Sequence, residues 1–388
     1  MQDIWHYARP DDAQRIMQTL DLGLVSALAI IEPRRRGKTT FLQDDLAPAA
    51  QAHGYLPVYI NLAASSGPLE PFIASSLHAA TVQASGMIDR LKRAGRSRVK
   101  KIAGKASATS IEIGGELELQ EPAPGGLAGA IGELVALQRP VLLMLDEVHK
   151  LGGAAANDLA WSLRSLLDTQ RKTIKVVATS SSAASYEVLV TGEKRAFNRW
   201  FTRVPLTPLG PEFIAHLADT TKRHFPKHAI TQAELAEAFK ALGDSPKFIR
   251  DYLNARILNP TVPHALALQG AAVEAAKDSG FEDAFVRLTP LQKIVLVAIA
   301  SGQKELFSAD ALKAAGSVLK SDPVTKSVMQ KAVRALADQG WVIRQDRGDY
   351  VLTDSLFEQW LAEQTRTGQL PRPAGASGSP SPGTVRPQ

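Results

Sequence analysis

The chain has 388 residues, 45% of them hydrophobic and 22% charged, a composition that fits two or three globular domains and excludes fibrous or largely disordered classes. It has no cysteine, which excludes disulfides and thiolate metal centres, and its eight histidines show no metal-ligand spacing. The net charge of +6 is local: Arg90, Lys92, Arg93, Arg96, Arg98, Lys100, Lys101 and Lys105 follow one another without an acid, and without these eight the balance turns negative.

The N-terminus shows no signal pattern and no apolar run reaches the length of a membrane span, so a soluble, cytoplasmic protein with no membrane partner is expected. Residues 1–21 read as a lead-in and a helix, with Pro10 near its start and Asp11 and Asp12 in the first turn, where negative charge suits the helix dipole. Residues 24–31 are an apolar run short enough to be a buried strand, broken at Glu32-Pro33. Gly37-Lys38-Thr39-Thr40 then opens a segment that reads as helix. A strand and a helix joined at Gly-Lys-Thr are the context of a phosphate-binding loop, because backbone N–H groups at the helix start face the phosphates. Pro33, Arg34, Arg35, Arg36, Gly37, Lys38, Thr39 and Thr40 would form that cradle. Lys38 would reach the β- and γ-phosphates, and the Thr39 hydroxyl would hold Mg²⁺. Glu32 departs from the pattern, which begins with glycine.

Residues 56–62 read as a second strand and 70–94 as a helix. Residues 110–119 alternate with period two around Gly114-Gly115, a hairpin signal. With the basic run it is expected to project from the core as an insertion over about 88–122. Such a run is the electrostatic footprint of a nucleic-acid or other anionic partner, although a solvated helix face carries similar charge. A helix over 127–138 leads to Pro140 and five apolar residues that end in Asp146-Glu147, as in a buried parallel strand delivering carboxylates to a cleft. Asp146 is the candidate to hold Mg²⁺, and Glu147 the candidate to polarise an attacking water; with Lys38 they form the expected catalytic set. A helix over 156–168 and a strand over 174–180 follow. Strands alternating with helices indicate an α/β fold, a parallel sheet with helices on both faces.

The Pro-Arg-Arg-x-Gly-Lys-Thr loop, the apolar strand ending in Asp146-Glu147, and the strand ending in Thr179-Ser180-Ser181 resemble the archaeal-type ATPase family. That family belongs to the AAA+-related and STAND P-loop NTPases, and the likeness extends over most of residues 1–365. It implies ATP and Mg²⁺ as cofactors, a P-loop NTPase parallel sheet of order 5-1-4-3-2, a helical lid, and a C-terminal winged helix-turn-helix. It also implies a polar sensor, matched by Thr179 or Ser180. In oligomeric relatives an arginine after the sensor strand reaches a neighbouring subunit's γ-phosphate. Arg203, ahead of Arg199, is the candidate here, and a homo-oligomer is an expected assembly.

Residues 211–280 read as all-helical, the expected lid, with Ser245 capping a helix that has Pro246 at its first position. The resemblance makes Lys247 or Arg250 a candidate γ-phosphate sensor. Residues 281–365 read as helices over 291–301, 309–315 and 323–339, followed by an alternating stretch around Arg347-Gly348-Asp349. Three helices and a two-stranded wing make a winged helix. Its third helix, with Lys326, Lys331 and Arg334 outward, would read DNA, and Arg344 and Arg347 would contact phosphates. Docking to a protein partner is the alternative for this domain. The Tyr-x-Leu-x-Asp-x-x-Phe-x-x-Trp-Leu ending over 350–361 extends the resemblance. Residues 366–388, rich in Pro, Gly and Ser, read as a disordered tail. The expected parts are thus a core over 1–210, a lid over 211–280, a winged helix over 281–365 and the tail. The expected function is a Mg²⁺-dependent ATPase coupled to a DNA transaction. A slow nucleotide switch acting on a protein partner, or a DNA-binding regulator with a weakened nucleotide site, are the alternatives.

Overall fold

The computed structural model describes residues 3–94, 111–113, 125–152, 156–192, 194–228, 230–303, 305–320, 322–346, 349–368 and 370. By its internal contacts the chain divides into two compact units, residues 1–216 and 217–388.

The first unit is built on strands β1 (Ala27–Ile31), β2 (Leu56–Asn61), β3 (Ile111–Ile113), β4 (Val141–Asp146), β5 (Ile174–Ser180) and β6 (Thr202–Arg203). They pair in parallel in the order β3-β2-β4-β5-β1-β6. With β3 set aside, this is the 5-1-4-3-2 order of the sequence reading. β3 itself is a correction. Ile111–Ile113 does not project from the core; it adds to the sheet edge, Val58 registering with Ile111 and Ile60 with Ile113. Alternation of period two serves an edge strand as well as a hairpin, and a hairpin partner cannot be inferred from it. Residues 114–124, the rest of that expected hairpin, lie outside the described residues.

Successive side chains of each strand point to opposite faces, and both faces are covered. Ala29, Val58, Leu143 and Val176 pack on one face with helices Leu69–Ala94, Gly126–Ala136 and Asn157–Thr169. Leu28, Tyr59, Met144 and Val177 pack on the other with helix Pro10–Asp21 and the helical run after β1. All six residues of β4 are buried. Polar groups therefore gather where the strands run out, and β4, β5 and β1, adjacent in the sheet, end side by side.

The helical run after β1 covers residues 38–52 and is not uniform. It is α-helical at Lys38–Thr40, π-helical at Phe41–Leu46, and α-helical again at Ala47–Ala52. Pro48 accounts for the wide turn. It has no N–H for the carbonyl four residues back, and its ring crowds that carbonyl, so the ladder loosens just before it. The Ala47 N–H donates instead to the Leu42 carbonyl.

In the second unit, helices Gln232–Ala241, Pro246–Leu258 and His264–Asp278 precede a short helix, Phe281–Val286. Thr231 and Glu234 cap the first of these reciprocally, and Ser245 caps the second. Helices Pro290–Ala300, Ala309–Leu319 and Lys326–Asp338 follow, then the antiparallel pair β7 (Val342–Asp346) and β8 (Asp349–Leu352), and helix Ser355–Arg366. Met329, Val333 and Leu336 are buried along the third helix, while Lys326, Ser327, Gln330, Lys331 and Arg334 are exposed. Arg344 stands on β7; Arg347, and all but Leu370 of the tail after Gly368, lie outside the described residues. No helix among the described residues is long and apolar enough to cross a membrane.

Candidate nucleotide site

The site begins where β1 ends. Glu32 N–H donates to the Ser180 carbonyl at 3.2 Å, carrying the β1–β5 pairing one step past the strand. The loop then turns through two left-handed residues, Arg35 at φ 64° and Gly37 at φ 81°. Glycine is needed at 37, where the chain bends into the helix. Glu32 has no left-handed φ among those recorded, which is why a side chain is tolerated where the motif usually has glycine. Pro33, Arg34, Thr39 and Thr40 are exposed, and Arg35 and Arg36 half-buried.

Lys38 is buried and folds back on the loop, its Nζ donating to the carbonyls of Glu32 at 2.7 Å and Pro33 at 2.8 Å. Burial lowers its pKa, against the pull of Glu147, Asp146 and Glu32. Its ammonium thus spans the mouth of the loop, beside the backbone that a phosphate would approach.

Asp146, the last residue of β4, is 1% exposed. Its Oδ2 accepts from Thr39 Oγ1 at 2.6 Å and from the Tyr59 hydroxyl at 2.9 Å. Its Oδ1 accepts a hydrogen bond from Thr179 Oγ1. One buried carboxylate thereby ties together β2, β4, β5 and the first turn after the loop.

Glu147 follows in the left-handed region at φ 60°, unusual for a residue with a side chain. Its N–H donates to Thr179 Oγ1 at 3.3 Å. Its Oε2 accepts from Ser181 N–H at 2.9 Å and Ser181 Oγ at 2.8 Å, and His149 Nδ1 approaches it at 3.1 Å. Burial pushes the carboxyl upward, but the hydrogen bonds from His149 and Ser181 outweigh it and bring the pKa down to about 2. The group is held ionised.

The structure therefore brings together Lys38, Thr39, Asp146, Glu147 and Thr179. Arg203 is not among them. It sits on β6 in register with Ala29, is ion-paired with Glu187, and lies over the Tyr186 ring at 4.9 Å from the centroid. In the second unit Lys247 pairs with Asp251 at 2.9 Å and Asp278 at 3.0 Å. Arg90, Lys92 and Arg93 belong to helix Leu69–Ala94; the rest of the basic run, Arg96 to Lys105, lies outside the described residues. Tyr59, His149 and Ser181 are site residues that the sequence reading did not assign. A hydroxyl in an otherwise apolar strand, as at Tyr59, was the available signal for the first.

Residues 279–363 match a family model described as a probable winged helix domain. No curated protein matches the sequence. Among solved structures, the chain is similar to a Walker-type ATPase of Pyrococcus abyssi, at 16% identity over 93% of this chain and 100% of that one, with a TM-score of 0.61. It is also similar to the ORC2 protein of Aeropyrum pernix in its ADPNP–ADP complexes, at 14% identity over 94% of this chain and 96% of that one, with a TM-score of 0.61. The chain thus shares the fold of these two proteins, and its C-terminal part is a winged helix domain. In this fold the Gly-Lys-Thr loop follows β1, the Asp-Glu pair ends β4 and the three hydroxyls stand where β5 ends, and these strands are neighbours in the order β4-β5-β1.

Proposed function

We propose that the chain binds ATP with Mg²⁺ at the loop after β1 and hydrolyses it, and that turnover is coupled to a DNA transaction through the winged helix. The observation that carries the nucleotide reading is the bridge from Thr39 through Asp146 to Thr179, beside a buried lysine that spans the loop. Magnesium suits these donors. Hydroxyl and carboxylate are hard oxygens, and Mg²⁺ is commonly held by one or two carboxylates together with phosphates and water. Among the described residues no cluster of His, Asp or Glu could hold a metal by itself, in keeping with an ion that arrives with the nucleotide. Thr39 and Asp146 would hold it, and it would supply positive charge against that of the phosphates.

The chain's own groups do the rest. Lys38 exchanges the two carbonyls for phosphate oxygens and brings a positive charge to the transferred group. Loop N–H groups at the helix start bind the remaining oxygens. Glu147, ionised, accepts a hydrogen bond from the attacking water and orients it; Ser181 and His149 engage Oε2, and Oε1 serves that purpose.

The DNA part is supported by the exposed residues of helix Lys326–Asp338, which include Lys326, Lys331 and Arg334, while Met329, Val333 and Leu336 are buried. The test is the ATPase rate against added duplex DNA, single-stranded DNA and RNA. Stimulation by one of them, lost when Lys326, Lys331 and Arg334 are replaced by alanine, supports coupling. Hydrolysis indifferent to all three would confine the reading to ATP turnover and turn attention to a protein partner.

A further inference from the structure

Three consecutive hydroxyls, Thr179, Ser180 and Ser181, stand where β5 ends, and all of them meet residues at or just past the end of β4. Thr179 Oγ1 donates to Asp146, Ser181 bonds Glu147 through both N–H and Oγ, and Ser180 Oγ lies 3.1 Å from His149 Nδ1. His149 Nδ1 is also 3.1 Å from Glu147 Oε2. A carboxylate can only accept and Ser180 Oγ gives its own proton elsewhere, so Nδ1 is the proton-bearing nitrogen; it donates to Ser180 Oγ and faces the carboxylate at 3.1 Å. Ser180 Oγ, for its part, donates to the Ser182 carbonyl at 3.0 Å.

These bonds act on a strained residue. A side-chain-bearing residue at φ 60° persists only where its surroundings over-determine it. Here the Glu147 N–H is held by Thr179 and its carbonyl accepts from Lys150 N–H at 3.0 Å. At the far end of the side chain, both hydrogen bonds from Ser181 and the approach of His149 fall on one carboxylate oxygen, Oε2. Anchoring one oxygen fixes the plane of the carboxylate and leaves the other to face a reactant.

We infer that His149 and Ser181 are positioning residues: they hold Glu147 by Oε2 so that Oε1 is fixed in the place where it orients the attacking water. The inference rests on the reading of Glu147 as the group that activates water. Binding of ATP needs neither residue, because neither touches the loop, Lys38 or Thr39 in the contacts recorded. Their loss should appear in kcat and spare KM.

The experiment is steady-state ATP hydrolysis by the full chain carrying His149→Ala, Ser181→Ala and both changes, in the wild-type and the Glu147→Gln backgrounds. The double change is expected to lower kcat on the order of 10²-fold, the usual cost of misplacing a reacting group by about 1 Å. KM for ATP is expected to stay within about threefold, an allowance below the fivefold that 1 kcal/mol would represent. In the Glu147→Gln background the same changes are expected to cost nothing further, since the group they position is gone. His149→Asn, which keeps an N–H donor near the Nδ1 position, and Ser181→Thr, which keeps the hydroxyl, are expected to restore most of the rate and to exclude misfolding as the cause. An unchanged or increased kcat would overturn the inference, as would an equal loss in both backgrounds or a loss confined to KM. If Glu147→Gln itself turned over like wild type, the water-activating reading would fall and take this inference with it. That result differs from an inactive Glu147→Gln with fully active His149 and Ser181 variants, which would remove the positioning role alone.

Discussion

Thr39 Oγ1 lies 2.6 Å from Asp146 Oδ2, across 107 residues of chain, and joins the first turn after the phosphate loop to the end of β4. The contact needs β1 and β4 to end at the same level although β5 stands between them. It is the geometric core of the proposed Mg²⁺–nucleotide site. Thr39→Val and Asp146→Asn should each raise the Mg²⁺ concentration needed for half-maximal hydrolysis by about 10–100-fold, the range seen when groups supporting a metal are removed. A Mg²⁺ titration of the rate checks this. An unshifted curve for both variants would remove the two residues from the metal site.

Glu32 occupies the motif's first glycine position without a left-handed φ, and two hydrogen bonds here use its backbone atoms, the N–H to Ser180 and the carbonyl to Lys38, while its carboxylate acts on Lys38 through charge. Glu32→Gly preserves both. The ATP dissociation constant is therefore expected to move less than about fivefold, corresponding to the roughly 1 kcal/mol that an added glycine costs in backbone freedom. Isothermal titration of the variant measures it, and a large loss of affinity would give the Glu32 carboxylate a role of its own.

Much of this architecture was legible because each core strand is apolar on both faces. Residues 24–31, 140–146 and 174–180 can be strands of nothing but a doubly covered sheet, and Lys38, Thr39, Asp146 and Glu147 stand at their ends. The fifth core strand was not legible, since Thr202–Arg203 is two residues long and is defined by its pairing with Leu28 and Ala29. The helix Ala183–Val190 and the π-helical turn before Pro48 were likewise beyond a periodicity reading. His149 and Ser181 were hidden for a different reason. Their role depends on the left-handed turn at Glu147, which swings its carboxylate toward β5, and no local pattern announces such a turn.

The N-terminal segment carries a separate pH dependence. His6 Nε2 is 3.1 Å from Asp45 Oδ1, which also accepts the Arg9 N–H at 3.0 Å, and Asp45 lies in the π-helical turn. The hydrogen bond to Asp45 raises the His6 pKa above 6.5, against burial. A raised folded-state value means the stabilisation is full below 6.5 and is lost as pH climbs through the folded value. His6→Ala should lower stability by about 1 kcal/mol at acidic pH, the typical worth of such a bond, and flatten the decline above neutrality. Denaturant melts across pH test it; a variant with the wild-type pH profile would contradict the assignment.

Gly316, inside helix Ala309–Leu319, lies closely against the backbone of residues 322–323. A Cβ added there would lie 2.6 Å from the Asp322 carbonyl oxygen and 2.9 Å from Pro323 Cα, both backbone atoms with little room to retreat. Gly316→Ala should therefore cost about 1–3 kcal/mol, as overpacking does, although alanine is the better helix former. A stabilised variant in thermal melts would show that the loop over 322–323 yields.

The central claim is that the loop after β1 binds ATP and that Glu147 promotes its hydrolysis. Parallel measurement of ATP affinity and of single-turnover hydrolysis in the wild type and Glu147→Gln tests it most directly. The account requires ATP binding of similar strength in both proteins, with hydrolysis in the variant slower by about 10²-fold or more, the usual contribution of general-base assistance. Equal hydrolysis rates in the two proteins, or no binding of ATP by the wild type, would contradict it.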